Sequence, residues 1–167
     1  MTEGQQADRE LDEADLILIA AHAFYLSKTL PRDEHREEVL RPFVSMLTKP
    51  ENKKNWLMDT NSLLHRARND FEKTKTKESS LIYFQGLLDS FRNQGTDVQN
   101  KVNYVFAVNY PLRWLLQKEL ADLYKETGCF VSAFELLNEV ELTEDAITCL
   151  FLAGRQTQAI KTAEAFL

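Results

Sequence analysis

Residues 120–137, LADLYKETGCFVSAFELL, decide how this chain is read. Leu120-Ala121, Tyr124, Gly128 and Ala133 recur loosely as Ala146-Ile147, Leu150, Gly154 and Ala159. Gly128 to Gly154 and Ala133 to Ala159 are both steps of 26 residues. A fixed step of this size marks helix–turn–helix units stacked on one another. Each residue type has a physical task. Ala121 and Ala133 are small, so paired helices can cross closely, and Tyr124 packs one turn further along the same face. Gly128 ends the first helix, where a left-handed cap residue does best without a Cβ. Leu137 and Val140 close the apolar seam.

Helical spacing continues upstream. Leu16, Ile19, Ala20, Ala23, Phe24, Ser27 and Leu30 share one face, and Ile17, Leu18, Ala21 and Tyr25 fill much of the other. A helix apolar nearly all round is expected between neighbours. Pro31 stops it. A second helix starts near Asp33 and meets Pro42, where a kink or a break is expected. Further helices are expected over 56–71 and 79–91, then over 98–108 after the linker Asn93–Asp97. Another opens at Asn109-Tyr110-Pro111, with Pro111 in its first turn. Only 102–108 is ambiguous with a strand. The expectation is an all-α protein of antiparallel helix hairpins, with a flexible N-terminus over 1–10, helical hairpins over 11–110 and repeats over 111–167.

Composition narrows the function. Among 167 residues, 44% are hydrophobic and 28% charged, which fits a globular chain. Five Gly and four Pro are too few for a β-sandwich with a turn every ten residues. A net charge of −6 weighs against a free-standing nucleic-acid binder. Two cysteines make no disulfide framework. Both Cys129 and Cys149 lie in apolar helical patterns and read as buried structural thiols in a reducing compartment. The first fifteen residues are acidic, unlike a secretory leader. The longest apolar run, Leu16–Leu26, is too short for a bilayer. A soluble intracellular protein is expected.

The repeat is similar to the signature of tetratricopeptide (TPR) units. Leu120-Ala121, Tyr124, Gly128, Ala133 and Leu137 match it, while Gln117 replaces the expected tryptophan and Asp145 the terminal proline. Three further segments resemble the tetratricopeptide repeat protein 27 family: Arg36–Phe43; Asn55–Leu57 with Leu64–Arg68; and Tyr110–Ala121. Their order and spacing carry the resemblance, which with the repeats covers most of the chain from about Leu16 onward. It implies a TPR-like right-handed α-solenoid. It also implies a eukaryotic, non-enzymatic scaffold or adaptor for protein partners, in chaperone-assisted assembly of large protein or ribonucleoprotein complexes, and cell-integrity roles in fungi. Members are far longer, so further repeats of the same chain are expected, with the apolar edge Ala159, Ile160, Ala163, Phe166 and Leu167 meeting them. The implied setting is cytoplasm, with the nucleus as a second compartment.

No motif names a reaction or a cofactor. His22, His35 and His65 share no metal-ligand spacing with each other or with either Cys. His22 reads as a core or interface histidine, His35 as solvated and His65 as part of a helix face. The strongest charged feature is 49–77, locally +4, with Lys53, Lys54, Arg66, Arg68, Lys73, Lys75 and Lys77 as a candidate partner surface. The alternative function is therefore an RNA-contacting helical-repeat protein. Its weakness is the lack of interleaved aromatics for base stacking. Some TPR domains clamp a chaperone's acidic tail with Lys and Asn four residues apart. Lys118 and Asp122 stand there instead, and Asp122 repels a carboxylate while its spacing suits a local pair with Lys118.

Overall fold

In a computed structural model of the chain, residues 11–52, 56–73, 75–92 and 104–166 are described. They form eight α helices and no strand. The helices are α1 (Glu13–Thr29), α2 (Glu34–Leu47), α3 (Trp56–Phe71), α4 (Lys77–Arg92), α5 (Arg113–Glu126), α6 (Phe130–Glu139), α7 (Thr143–Leu152) and α8 (Gln156–Phe166). None is long and apolar enough to cross a membrane. The expected flexible 1–10, the linker at 93–97, the part of the fifth helix before 104, Lys53, Lys54 and Leu167 lie outside the described residues.

The chain packs as two compact units, one of residues 1–69 and 95–110, the other of 70–94 and 111–167. In the first, α1 packs on α2. A capping box starts α1: the Asp15 N–H donates to Asp12 Oδ1 at 2.8 Å, and the Asp12 N–H to Asp15 Oδ2 at 3.3 Å. Asp33 caps α2 by accepting from the Arg36 N–H at 2.9 Å. Pro42 neither breaks nor ends α2. It is exposed, as is Glu38, whose carbonyl loses its helical donor at Pro42 and faces the solvent side. Helix α1 buries Leu16, Ile17, Ala20 and Ala23 but leaves Leu18 and Tyr25 exposed, so it is covered on one side rather than sandwiched.

Helix α3 buries polar as well as apolar groups: Leu57, Met58 and Leu64 beside Thr60, Asn61, Ser62 and His65. The Thr60 and Ser62 hydroxyls donate to the carbonyls of Trp56 and Asp59, each at 2.8 Å, which satisfies them within the helix. The expected helix over 98–108 is absent from its described part, since 104–109 is a chain of turns. Tyr104 and Asn109 hold positive φ there, which a helix does not allow. Val108 and Tyr110 anchor that segment in the unit, with the Tyr110 ring edge-on to Trp56 at 5.6 Å.

In the second unit α4 packs on α5, and α5, α6, α7 and α8 each pack on the next in chain order. Connections of three residues make α5, α6, α7 and α8 successively antiparallel. This is the all-helical, TPR-like stacking expected. Pro111 lies outside α5, because Leu112 is its N-cap and the helix starts at Arg113.

Candidate functional site

The site rests on a period shorter than the one legible at first reading. Helices α5, α6 and α7 end in the same turn. The N–H of Cys129, Leu142 and Arg155 donates to the carbonyl five residues back, on Tyr124, Leu137 and Leu150, at 2.8, 3.0 and 2.9 Å. The N–H of Gly128, Glu141 and Gly154 donates three back at 3.1, 3.2 and 3.0 Å. This pair of bonds is the Schellman cap, and all three residues hold the positive φ it requires: +78°, +60° and +74°. The turns fall at 128, 141 and 154, so the structural unit is one helix and one turn of 13 residues, and the 26-residue step is two of them.

The same step places the core. Ala133, Ala146 and Ala159 stand 13 residues apart and all are buried. Leu120 occupies the preceding equivalent position and is buried too. Ala121, Ala133, Leu137, Ala146 and Cys149 form one cluster, with Tyr124, Phe134, Leu136 and Leu142 packed against it. Small side chains at the crossing let backbones approach, and the Leu one turn on fills the remaining volume. Burial pushes the Cys149 thiol and the Tyr124 hydroxyl above their ordinary pKa values. Gln117, at the signature's tryptophan position, is also buried. Gly128 and Gly154 sit exposed at their turns.

The polar side of the stack is paired internally. Lys118 on α5 reaches Asp145 on α7 at 4.0 Å, and Arg113 reaches Glu139 on α6 at 3.3 Å. Asp122 pairs with Lys125, whose pKa its hydrogen bond raises. The expected Lys118–Asp122 pair is therefore replaced: Lys118 bridges two helices, and Asp122 finds its partner one turn further on. Apolar groups are exposed as well. Leu112, Trp114 and Leu115 stand out at the start of α5, with Trp114 47% exposed. A groove of about 430 Å³ runs between α7 and α8, lined by Ile147, Phe151, Ala159, Ile160 and Ala163 with Thr148 and Gln156. Nothing in the repeat signature marks Trp114. The 13-residue alanine step was visible in the sequence but was masked by the glycines, which recur only every second turn.

Other candidates are placed as follows. His22 is exposed, its ring edge-on to Phe43 at 5.2 Å, and is not a core residue, because the covered face of α1 is that of Ala20 and Ala23. His35 is exposed. His65 is buried, and burial aided by the Arg68 charge pulls its pKa down to about 4. Cys129 is exposed rather than a buried thiol, since it lies in the turn after α5. Of the basic candidates, Arg66 and Lys75 are exposed and Arg68 and Lys73 half-buried, while Lys77 lies over the Phe71 ring at 4.9 Å. Arg66, Arg68 and Lys73 each have an interaction partner. Among the described residues, no three His, Cys, Asp or Glu gather to hold a metal ion.

No protein-family model and no solved structure matches the chain. It is similar to three curated proteins. A tetratricopeptide repeat protein 27 homolog of Dictyostelium discoideum is 26% identical, covering 89% of this chain and 17% of its own length. A TPR repeat-containing protein of Schizosaccharomyces pombe is 26% identical, covering 91% and 22%. The Saccharomyces cerevisiae protein named "Essential for maintenance of the cell wall protein 1" is 24% identical, covering 89% and 18%. The chain thus spans about a fifth of the length of these relatives. Its similarity to them extends over about nine-tenths of its own length, and two of the three carry tetratricopeptide repeats in their names.

Proposed function

We propose that the chain is a non-enzymatic scaffold that presents the start of α5 to protein partners. The observation that carries this is Trp114, half-exposed beside exposed Leu112 and Leu115 on a helix held rigidly by α4 and α6. Tryptophan is among the side chains enriched at the energetic centres of protein interfaces. That relatives are TPR repeat proteins supports the same reading. The test is affinity capture with wild-type protein and with Trp114→Ala. Partners should be lost in the variant while its melting temperature is unchanged. Undiminished capture sinks this surface.

The finer proposal is chaperone-assisted assembly of large protein or ribonucleoprotein complexes in the cytoplasm or nucleus. It rests on the family resemblance. Direct capture of a chaperone's acidic tail by this repeat does not fit, because Lys118 is turned to Asp145 and Asp122 presents a like charge. Titrating such a peptide should give no saturable binding; submicromolar binding lost in Lys118→Ala reverses that statement. The RNA reading gains no specific support, since Arg66, Arg68 and Lys73 are engaged and Lys77 covers an aromatic ring. Crosslinked RNA in the same capture would revive it.

A further inference from the structure

Helix α1 of the first unit is apolar on both sides, and α2 packs on it. Leu16, Ile17, Ala20 and Ala23 form its buried face. The other side carries Ala14, exposed, Leu18, 68% exposed, Ala21, half-buried, and Tyr25, 60% exposed. Their steps are 4, 3 and 4 residues, the spacing of a seam that takes a second helix by knobs into holes. Small Ala14 and Ala21 alternate with large Leu18 and Tyr25, so the stripe offers both holes and knobs. A helix face that meets only water is expected to be charged or polar. Here no Asp, Glu, Lys or Arg stands between Asp15 and Lys28.

Charge says what the occupant is. The first turn of α1 holds Glu13 and Asp15 after the cap Asp12, and its last turn holds Lys28. Each end suits its own helix dipole, but that accounts for no exposed leucine or tyrosine. The stripe is also nearly self-complementary. Turned end for end about the point between Ala21 and His22, Leu18 falls on Tyr25, Ala14 on Thr29, and the acidic turn on the end that carries Lys28. A two-fold interface demands this of one surface patch. A parallel copy would instead set acid on acid and lysine on lysine. A membrane surface is the poorer occupant, because helices that lie on lipid are rich in Lys and Arg.

We propose that the stripe Ala14, Leu18, Ala21 and Tyr25 is a self-association surface, on which α1 of a second copy packs antiparallel. Ala21 lies at the two-fold axis, where its small side chain lets the backbones approach. Leu18 packs on the second copy's Tyr25, and Glu13 pairs with the second copy's Lys28 at each end. A helix of 17 residues is about 25 Å long, so the contact falls short of a standard-sized interface and the dimer is a weak, reversible one. The surface lies in the other unit from Trp114, and the inference stands without the function proposed for that residue.

The test is sedimentation equilibrium of the full chain over a micromolar concentration series. The wild type should dimerise reversibly. Lys28→Glu and Glu13→Lys should each weaken the dimer about tenfold, and the two together should restore it, since each copy then offers the swapped charge to the other. Leu18→Ser, at an exposed position, should weaken it as well with the helical circular dichroism unchanged. Orientation is read by disulfide trapping in a Cys129→Ser background. Ala21→Cys should cross-link on oxidation. Ala14→Cys should not, because its copies lie about 22 Å apart along an antiparallel pair, beyond disulfide reach. This trapping also decides the matter if a charge variant fails to fold. A chain monomeric throughout the series overturns the proposal. So does a dimer indifferent to Lys28→Glu and Leu18→Ser, or equal cross-linking through Ala14→Cys. Pelleting of the wild type, but not of Leu18→Ser, with phosphatidylserine vesicles overturns it too, since lipid is then the occupant.

Discussion

The two units solve the same packing problem with different materials. The seam of the repeats is built from alanine, leucine and one cysteine, placed by a 13-residue step. The first unit buries Arg36, Asn52, Thr60, Asn61, Ser62 and His65 among its apolar residues. Repetition lets one solution, a small residue at a crossing, be used again. Without repetition each contact is individual, and polar groups must be satisfied one at a time, as Asn52 is by donating to the Met46 carbonyl at 2.7 Å. The contrast teaches that the repeats are governed by steric fit and turn geometry, and the first unit by buried polarity.

The largest expected effect breaks the comparison by pH. All three histidines lie in the first unit, and only His65 is buried. Its folded pKa of about 4 lies below its unfolded value of 6.5, so the unfolded chain takes up the proton first. The stability from neutral His65 is present above pH 6.5, is lost as pH falls toward 4, and totals about 3 kcal/mol. Urea unfolding between pH 4.5 and 7.5 should show this slope, and His65→Gln should flatten it. Identical slopes in both proteins would remove the electrostatic half of the contrast.

Next in size is overpacking. Ala133→Leu and Ala146→Leu should each cost about 2 kcal/mol, read as a lowered melting temperature, because both sites are fully enclosed. Tolerance of either would mean that the seam is not set by close approach. Smaller again are the turns. No atom lies within 4 Å of a Cβ built on Gly128, so Gly128→Ala should cost about 1 kcal/mol through its φ alone. Glu141 holds the same turn with a side chain, so Glu141→Gly should stabilise by about 0.5 kcal/mol. Opposite signs at two equivalent positions are the sharpest check on the 13-residue unit. The smallest effect is Arg113→Ala. It removes an exposed pair with Glu139 and should stay within about 0.5 kcal/mol by denaturant midpoint.

The legibility of the molecule follows the same division. Gly128, Gly154 and the alanines state the stacked hairpins openly, because a turn geometry and a crossing distance each admit few residue types. Helix 56–71 was legible from its apolar spacing and forms over those residues. Each reading that failed depends on a neighbour. Spacing showed that α1 could be covered on two sides, but not that Leu18 and Tyr25 would be left outside. It placed Lys118 four residues from Asp122, but not that Asp145 of another helix would stand closer to hand. It put Cys129 in an apolar run, whereas a cap five residues from Tyr124 turns it to the surface. The exposed Trp114 and the groove beside Ile160 were out of reach for the same reason, since exposure is a property of what does not pack.

The turn at Glu141 carries one more consequence, a matter of parity. Each 13-residue unit reverses the direction of the chain, so two units restore it. Loss of a single unit would keep every downstream alanine in phase with its seam, yet it would point every downstream helix the opposite way and exchange the two rims of the stack. Loss of a pair would leave both phase and direction intact. Length variation among chains of this kind should therefore be counted in pairs, with glycine and glutamate alternating at the bends as the visible trace of that two-stroke rhythm.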